Sequence, residues 1–190
     1  MKKYMNHARR LIFVNIVIIT GSHRPGSNSG LLADYFQKGA EEAGHGVFRF
    51  DAAHKKIHGC IGCDRCGMNG PCVFDDDFTS LREPLVRADL LLFASPMYYF
   101  GISSQIKAVV DRFYAIDARI MGGKQACLIA TFWTTDRNRA SGIVESYKNM
   151  LSYLHWEDRG IMLAGGVNAE NEVLNTAYPR QIYEFAKSLR

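Results

Sequence analysis

The sequence predicts a doubly wound α/β fold, a five-stranded parallel sheet with helices on both faces. Three observations point there. Five short apolar runs alternate with amphipathic stretches of helical length, which is the strand–helix alternation of a parallel sheet. Each run is rich in β-branched or aromatic residues or bounded by turn formers. At 190 residues the chain makes one full-sized domain and falls short of two comfortable ones, so residues 1–190 are expected to form a single domain around one core.

The elements follow in order. A ragged lead-in over residues 1–10 precedes the apolar run Leu11 to Ile19, read as a buried strand with its core at Ile16 to Ile19. Leu31, Leu32, Tyr35, Phe36, Ala40 and Ala43 keep helical spacing, and Gly44 stops that helix. Val47 to Phe50 is the second strand. Ala52 to Asp75 is irregular and unusually long for a connection in a compact domain, which marks it as functional. Asp77 to Ala88 reads as a helix weakened by Pro84, and Leu90 to Ala94 as the third strand. Ile102, Ile106, Val109, Val110 and Phe113 line one helix face, with Ser103 as its cap and Lys107 paired to Asp111 on the wet side. Ala126 to Thr131 and Ile161 to Ala164 are the last strands, with helices at Ser141 to Leu154 and Ala177 to Leu189.

Hydrophobic residues at 47% and charged residues at 22% exclude a disordered or fibrous chain. A net charge of +4, scattered along the chain, is too small for a nucleic-acid footprint. No apolar stretch approaches the roughly 18 to 20 residues that span a bilayer. A secretory leader is not expected either: Asn15 interrupts the apolar run, and turn-rich residues follow it in place of a small-x-small cleavage site. The expected location is cytoplasmic, with no nucleic-acid or membrane partner. Five cysteines in that reducing compartment should not pair as structural disulfides, so their clustering needs another cause.

A doubly wound sheet binds ligands beyond the carboxyl ends of its strands. After the first strand, Thr20-Gly21-Ser22-His23-Arg24-Pro25-Gly26-Ser27-Asn28-Ser29 leads into a helix, so backbone amides and a helix N-terminus favour an anion there. Ser22, Ser27, Asn28 and Ser29 add donors, and Arg24 a charged fork. Gly21 to Gly26 has Walker A spacing, but Ser27-Asn28 stands where that loop has Lys-Ser/Thr, and no G-x-G-x-x-G is present. A terminal monophosphate fits best, against the alternative of an ordinary polar turn. After the third strand, Pro96, Met97, Tyr98, Tyr99 and Gly101 offer a stacking surface and backbone amides to a flat heteroaromatic ring. The alternative is that Tyr98, Tyr99 and Phe100 are core or interface aromatics. Thr131 to Thr135, after the fourth strand, is a third candidate wall.

Cys60-x2-Cys63-x2-Cys66-x5-Cys72 is the least generic feature of the chain. Structural zinc sites usually separate two C-x2-C knuckles by a dozen or more residues, whereas consecutive C-x2-C-x2-C spacing is characteristic of iron–sulfur ligation. Three readings stand: a cluster, free or redox-active thiols, and zinc. Cys127 sits in an apolar strand as packing. The histidines are scattered without H-E-x-x-H, and Asp75-Asp76-Asp77 is read as capping the helix that follows. No Ser/His/Asp hydrolase elbow is present.

The phosphate loop, together with Ser95-Pro96-Met97-Tyr98-Tyr99-Phe100-Gly101, Gln105-x-Lys107 and Asp111-Arg112-Phe113, resembles the flavodoxin-like, NAD(P)H-dependent FMN reductases over most of the chain up to about residue 115. His23 departs from the proline common in that family, with Pro25 two residues on. The cysteine pattern with its trailing Val73-Phe74-Asp75-Asp76-Asp77 resembles the iron–sulfur flavoprotein branch, where such cysteines hold a 4Fe-4S cluster near FMN. The resemblance implies a flavodoxin-like fold, FMN bound through the phosphate loop, and an isoalloxazine lined by Pro96 to Tyr99 and Gly101. It also implies NADH or NADPH as co-substrate, electrons passed to a quinone, flavin, metal or protein acceptor, and a homodimer or higher homo-oligomer. A non-enzymatic electron carrier working through FMN and a cluster is the rival, and carriers of that type are usually strongly acidic, unlike this chain. A cysteine-based redox sensor is a third reading.

Overall fold

A computed structural model describes residues 13–190; the lead-in expected over residues 1–10 and the Leu11 start of the first apolar run lie outside the described residues. In chain order the elements are β1 (Asn15–Thr20), α1 (Asn28–Glu42), β2 (Gly46–Asp51), α2 (Phe78–Arg87), β3 (Leu90–Pro96), α3 (Ser104–Asp111), a single turn α4 (Asp117–Ile120), β4 (Gln125–Phe132), α5 (Ser141–Leu154), β5 (Glu157–Gly165) and α6 (Tyr178–Lys187). The five strands are all parallel in the order β2-β1-β3-β4-β5, a flavodoxin-like sheet.

Side chains alternate across the sheet, so neighbouring strand residues feed opposite cores. Val17, Ile19, Leu91, Phe93 and Leu128 pack with Phe78, Leu81 and Leu85 of α2, Ile106 and Val109 of α3, and Ile143 and Leu151 of α5. Ile16, Ile18, Leu90, Leu92 and Ile129 pack with Leu32, Phe36 and Ala40 of α1 and Ile182 and Ala186 of α6. Double-sided burial explains the near-continuous apolar runs.

Several boundaries differ from the sequence expectation. Pro84 lies inside α2, which survives because Phe78, Leu81 and Leu85 are fully buried and their packing outweighs one missing backbone bond. The helix expected to run to Phe113 tightens after Asp111 into a 3-10 segment, Arg112–Ile116, before α4. β5 is longer at both ends than Ile161 to Ala164, because its outer residues pair with β4 without being buried. The expected ends held at Gly44 (φ +87°), at Ser103, whose Oγ accepts from Ile106 N, and in the Lys107–Asp111 pair. Between the short 3-10 turn Ala52–His54 and α2, the chain has no helix or strand.

The strand order reverses between β1 and β3, and α3 starts directly behind the loop that leaves β1. Gly21 is required by that approach: a Cβ there would stand 2.3 Å from Ser103 Oγ and 2.5 Å from Ile106 Cγ1. Gly21→Ala is therefore expected to cost about 1–3 kcal/mol through overpacking. A thermal melt should fall by several degrees, and an unchanged melting temperature contradicts the close approach.

Candidate functional site

The carboxyl ends of β1, β3, β4 and β5 share one open cleft enclosing about 570 Å³. Ser22, Arg24, Ser27, Asn28 and Ser29 line one side, Pro96, Met97 and Tyr98 a second, and Thr131, Phe132 and Trp133 a third. Val167 and Asn168 from the loop after β5 complete it. The structure thus brings the two sequence-derived binding segments together with the 131–135 wall.

The loop after β1 has the makings of an anion site. Ser27 caps α1 by accepting from Gly30 N at 3.1 Å, and the first turn of α1 carries no acidic residue, so its amide dipoles face the cleft without a resident carboxylate. Arg24 donates through Nη1 to Asn168 O at 2.6 Å, which aims the guanidinium along the cleft wall. Ser29 is 1% exposed, and its Oγ has no hydrogen-bond partner. A buried hydroxyl left unpaired is costly, and here it lines a cavity. Asn28 behaves differently from the expectation: Nδ2 donates to Ala169 O and Oδ1 accepts from Val173 N, each at 2.9 Å. Its side chain ties α1 to the last loop, and only its backbone is left for a ligand. Asn171 N donating to Gly26 O at 2.9 Å, and Glu172 Oε2 accepting from the amides of Asn168 and Ala169, fix that loop; these bonds hold the Glu172 carboxyl below the usual range.

The loop after β3 is a two-residue hairpin. Tyr98 and Gly101 exchange backbone bonds at 3.1 and 3.0 Å, and the tip residues Tyr99 and Phe100 sit at φ +44° and +67°. Left-handed backbone at two bulky aromatics costs about 1–3 kcal/mol each and is typical of functional loops. Two of the expected ring contacts lie outside the cleft lining in this geometry. Tyr99 is 99% exposed at the tip and Gly101 closes the hairpin base, so neither lines the cleft, whereas Pro96, Met97 and Tyr98 do. Ser95, fully buried, anchors the base by accepting from Ser103 N, and Met97 N donates to Thr131 O at 2.9 Å. Val167 and Asn168 were not singled out in the sequence; the Gly165-Gly166 pair ending an apolar strand was the available signal.

The cysteine loop has its own geometry. Cys60 and Cys63 are exposed, Cys66 and Cys72 half-buried, and all four line one hollow with Phe74, Arg112 and Tyr114. Gly62, Asp64, Gly67 and Met68 all adopt positive φ, which winds the backbone tightly around it. Among the described residues, no three His, Cys, Asp or Glu side chains gather as a single ion would need. Arg112, 1% exposed, closes the loop: it donates to His58 O at 2.9 Å, Phe74 O at 3.2 Å and Asp76 Oδ2 at 2.8 Å. Its guanidinium lies 5.5 and 4.9 Å from the rings of Phe74 and Phe78. Asp76 also accepts from the amides of His58 and Phe78, and Asp77 from Lys56 N, so the acidic triplet mainly clamps this loop and only Asp76 caps α2. Cys127, in β4, is apart from this group, and burial pushes its thiol up to about 12.

The sequence profile of the NADPH-dependent FMN reductase family matches residues 14–160. An iron–sulfur flavoprotein of Archaeoglobus fulgidus is 35% identical over 94 residues, covering 50% of this chain and 43% of that protein. The chain spans about half the length of the iron–sulfur flavoproteins that it matches. A Bacillus subtilis protein carrying the name of an NAD(P)H-dependent FMN-containing oxidoreductase is 25% identical over 173 residues, covering 85% of this chain and 90% of its own. Among solved structures, the NAD(P)H:quinone oxidoreductase of Methanothermobacter marburgensis superposes with a TM-score of 0.74 at 18% identity, covering 94% and 97% of the two chains.

Burial pushes the Asp76 carboxyl up, but the bonds from Arg112, His58 and Phe78 and the Arg112 charge outweigh it and hold it below the usual range. A depressed carboxyl contributes stability above its unfolded pKa of about 3.9 and loses it as the pH falls through the lower folded value. Asp76→Asn is expected to cost about 3–5 kcal/mol at neutral pH, the penalty for leaving a buried charge unpaired. The difference from the unaltered protein should shrink below about pH 4 in denaturant melts. A difference independent of pH contradicts the ion pair.

Proposed function

The chain belongs to the NADPH-dependent FMN reductase family, and from that premise we propose that it is an FMN-dependent NAD(P)H oxidoreductase. The observation that carries the reading is Ser29, a buried hydroxyl without a partner, beside an acid-free helix N-terminus and Arg24. An FMN phosphate supplies the acceptor that this hydroxyl lacks. Ser22, Arg24, Ser27 and Ser29 with the backbone amide at Asn28 would hold the phosphate. Pro96, Met97 and Tyr98, together with Thr131 to Trp133 and Val167, would line the isoalloxazine. When bound, FMN would supply the hydride-accepting and electron-transferring chemistry between NADH or NADPH and the acceptor. The chain positions and desolvates, and no side chain has to act as an acid or base. The acceptor is a quinone, flavin, metal or protein. The proposal includes residues 1–190 acting as one FMN-binding domain in the cytoplasm; among the described residues no helix is long and apolar enough to cross a membrane.

We infer also that Cys60, Cys63, Cys66 and Cys72 hold a 4Fe-4S cluster. Their compact spacing, their shared hollow and the names of the relatives support it. Four cysteine thiolates are the ligand set that a 4Fe-4S cluster takes, and all four line this hollow. Tyr98 and Trp133 at the cleft and Tyr99 and Phe100 on the hairpin tip beside it are exposed aromatics, which supports a homodimer or higher homo-oligomer covering them.

Anaerobically purified full-length protein is expected to carry FMN with about four irons and four sulfides per chain, and to oxidise NADH or NADPH. Flavin without iron or sulfide after anaerobic reconstitution rejects the cluster alone. Riboflavin should bind far worse than FMN, and Arg24→Ala should weaken FMN about tenfold or more, since a charged hydrogen bond is worth roughly 1.5–3 kcal/mol. Equal affinity for riboflavin and FMN, measured by fluorescence titration, rejects the phosphate site.

A further inference from the structure

Arg112 has one donor left over. Its two Nη atoms serve His58 O, Phe74 O and Asp76, but its Nε–H is buried and donates to nothing. The clamp uses Arg112 to fold the loop and does not use this N–H. The same side chain lines the hollow of the four cysteines. Side-chain acceptors lining that hollow are the four sulfurs, the Asp64 carboxylate and the Tyr114 hydroxyl, and the last two are bonded to each other at 2.8 Å. Of the sulfurs, that of Cys60 accepts from Gly62 N at 3.4 Å, which leaves those of Cys63, Cys66 and Cys72 as acceptors without a competing partner.

We propose that the Nε–H of Arg112 donates a hydrogen bond to a sulfur of the iron–sulfur group bound in this hollow and raises that group's reduction potential. The inference rests on the iron–sulfur reading. Adding an electron makes the sulfurs more negative, so a fixed donor stabilises the reduced form more than the oxidised one. Asp76 offsets the net charge of the guanidinium, so the lever is the directed N–H and not an unbalanced cation. Arg112 is thereby both the clamp of the loop and the tuner of what the loop holds.

The test is a spectroscopic redox titration of anaerobically reconstituted full-length protein, with FMN in the same molecule as the internal reference. Arg112→Lys keeps the positive charge and loses the Nε donor; its iron–sulfur potential is expected to fall while the flavin potential stays. Asp76→Asn loosens the same clamp but keeps the donor and removes the neutralising carboxylate, so its potential should stay or rise. A purely structural role moves both variants in one direction, and that result, or an unshifted Arg112→Lys, overturns the proposal. Should Arg112→Lys fail to take up iron, nitrogen-15 arginine labelling of the unaltered protein decides instead. Arg112 is the one buried arginine among the described residues, so its Nε–H should exchange slowly. A large displacement of that resonance on iron–sulfide loading supports the bond, and an unmoved resonance overturns it. Unaltered protein that takes up no iron or sulfide overturns the iron–sulfur reading itself and this inference with it, whereas a loaded protein with unshifted variants overturns this inference alone.

Discussion

The buried pair between Arg112 and Asp76 is the constraint on which the shape of the cysteine loop depends. It closes a segment whose ends, His58 and Asp76, are eighteen residues apart and which has no helix or strand to hold it. Closing such a loop costs entropy that a solvent-exposed ion pair does not repay. Buried among Phe74 and Phe78, with two carbonyls and two amides completing its bonds, this pair holds the loop in one arrangement. Four thiols then face one hollow without any regular structure beneath them.

The clamp and the cleft at the strand ends are braced by the same helix, α3. At its start, Ser103 N bonds to the fully buried Ser95 Oγ at the base of the Tyr98 hairpin, and Gly21 lets the phosphate loop lie against Ser103 and Ile106. At its end the chain tightens into the 3-10 segment that carries Arg112. One helix therefore braces both sites from opposite ends, while the two hollows share no lining residue. The cleft itself is built by short loops at strand ends, where strain at Tyr99 and Phe100 is tolerated because β3 and α3 fix both sides of the hairpin.

How much of this was legible in the sequence follows from the range of the forces involved. β1, β3 and β4 announced themselves because burial on both faces demands unbroken apolar runs such as Leu90 to Ala94. The loop after β1 and the cysteine spacing were legible because local chemistry dictates them. The roles of Asn28 and Asp76 were not, since each depends on partners far along the chain, Val173 for one and Arg112 for the other. Tyr99 and Gly101 were expected as ring contacts because the residue types suit a flavin, and it is the hairpin's backbone pairing, invisible in the sequence, that puts them at its tip and base and outside the cleft lining. Pro84 warned against a helix that tertiary burial nonetheless completes.

The central claim is that the flavin cleft and the cysteine hollow are separate sites held on one frame. The measurement closest to it is an FMN titration of the full chain with Cys60, Cys63, Cys66 and Cys72 all changed to Ser, compared with the unaltered protein. Sites without shared partners behave independently, so one FMN per chain should still bind, with affinity within about twofold. Loss of flavin binding in that variant, with the fold intact by circular dichroism, contradicts the separation.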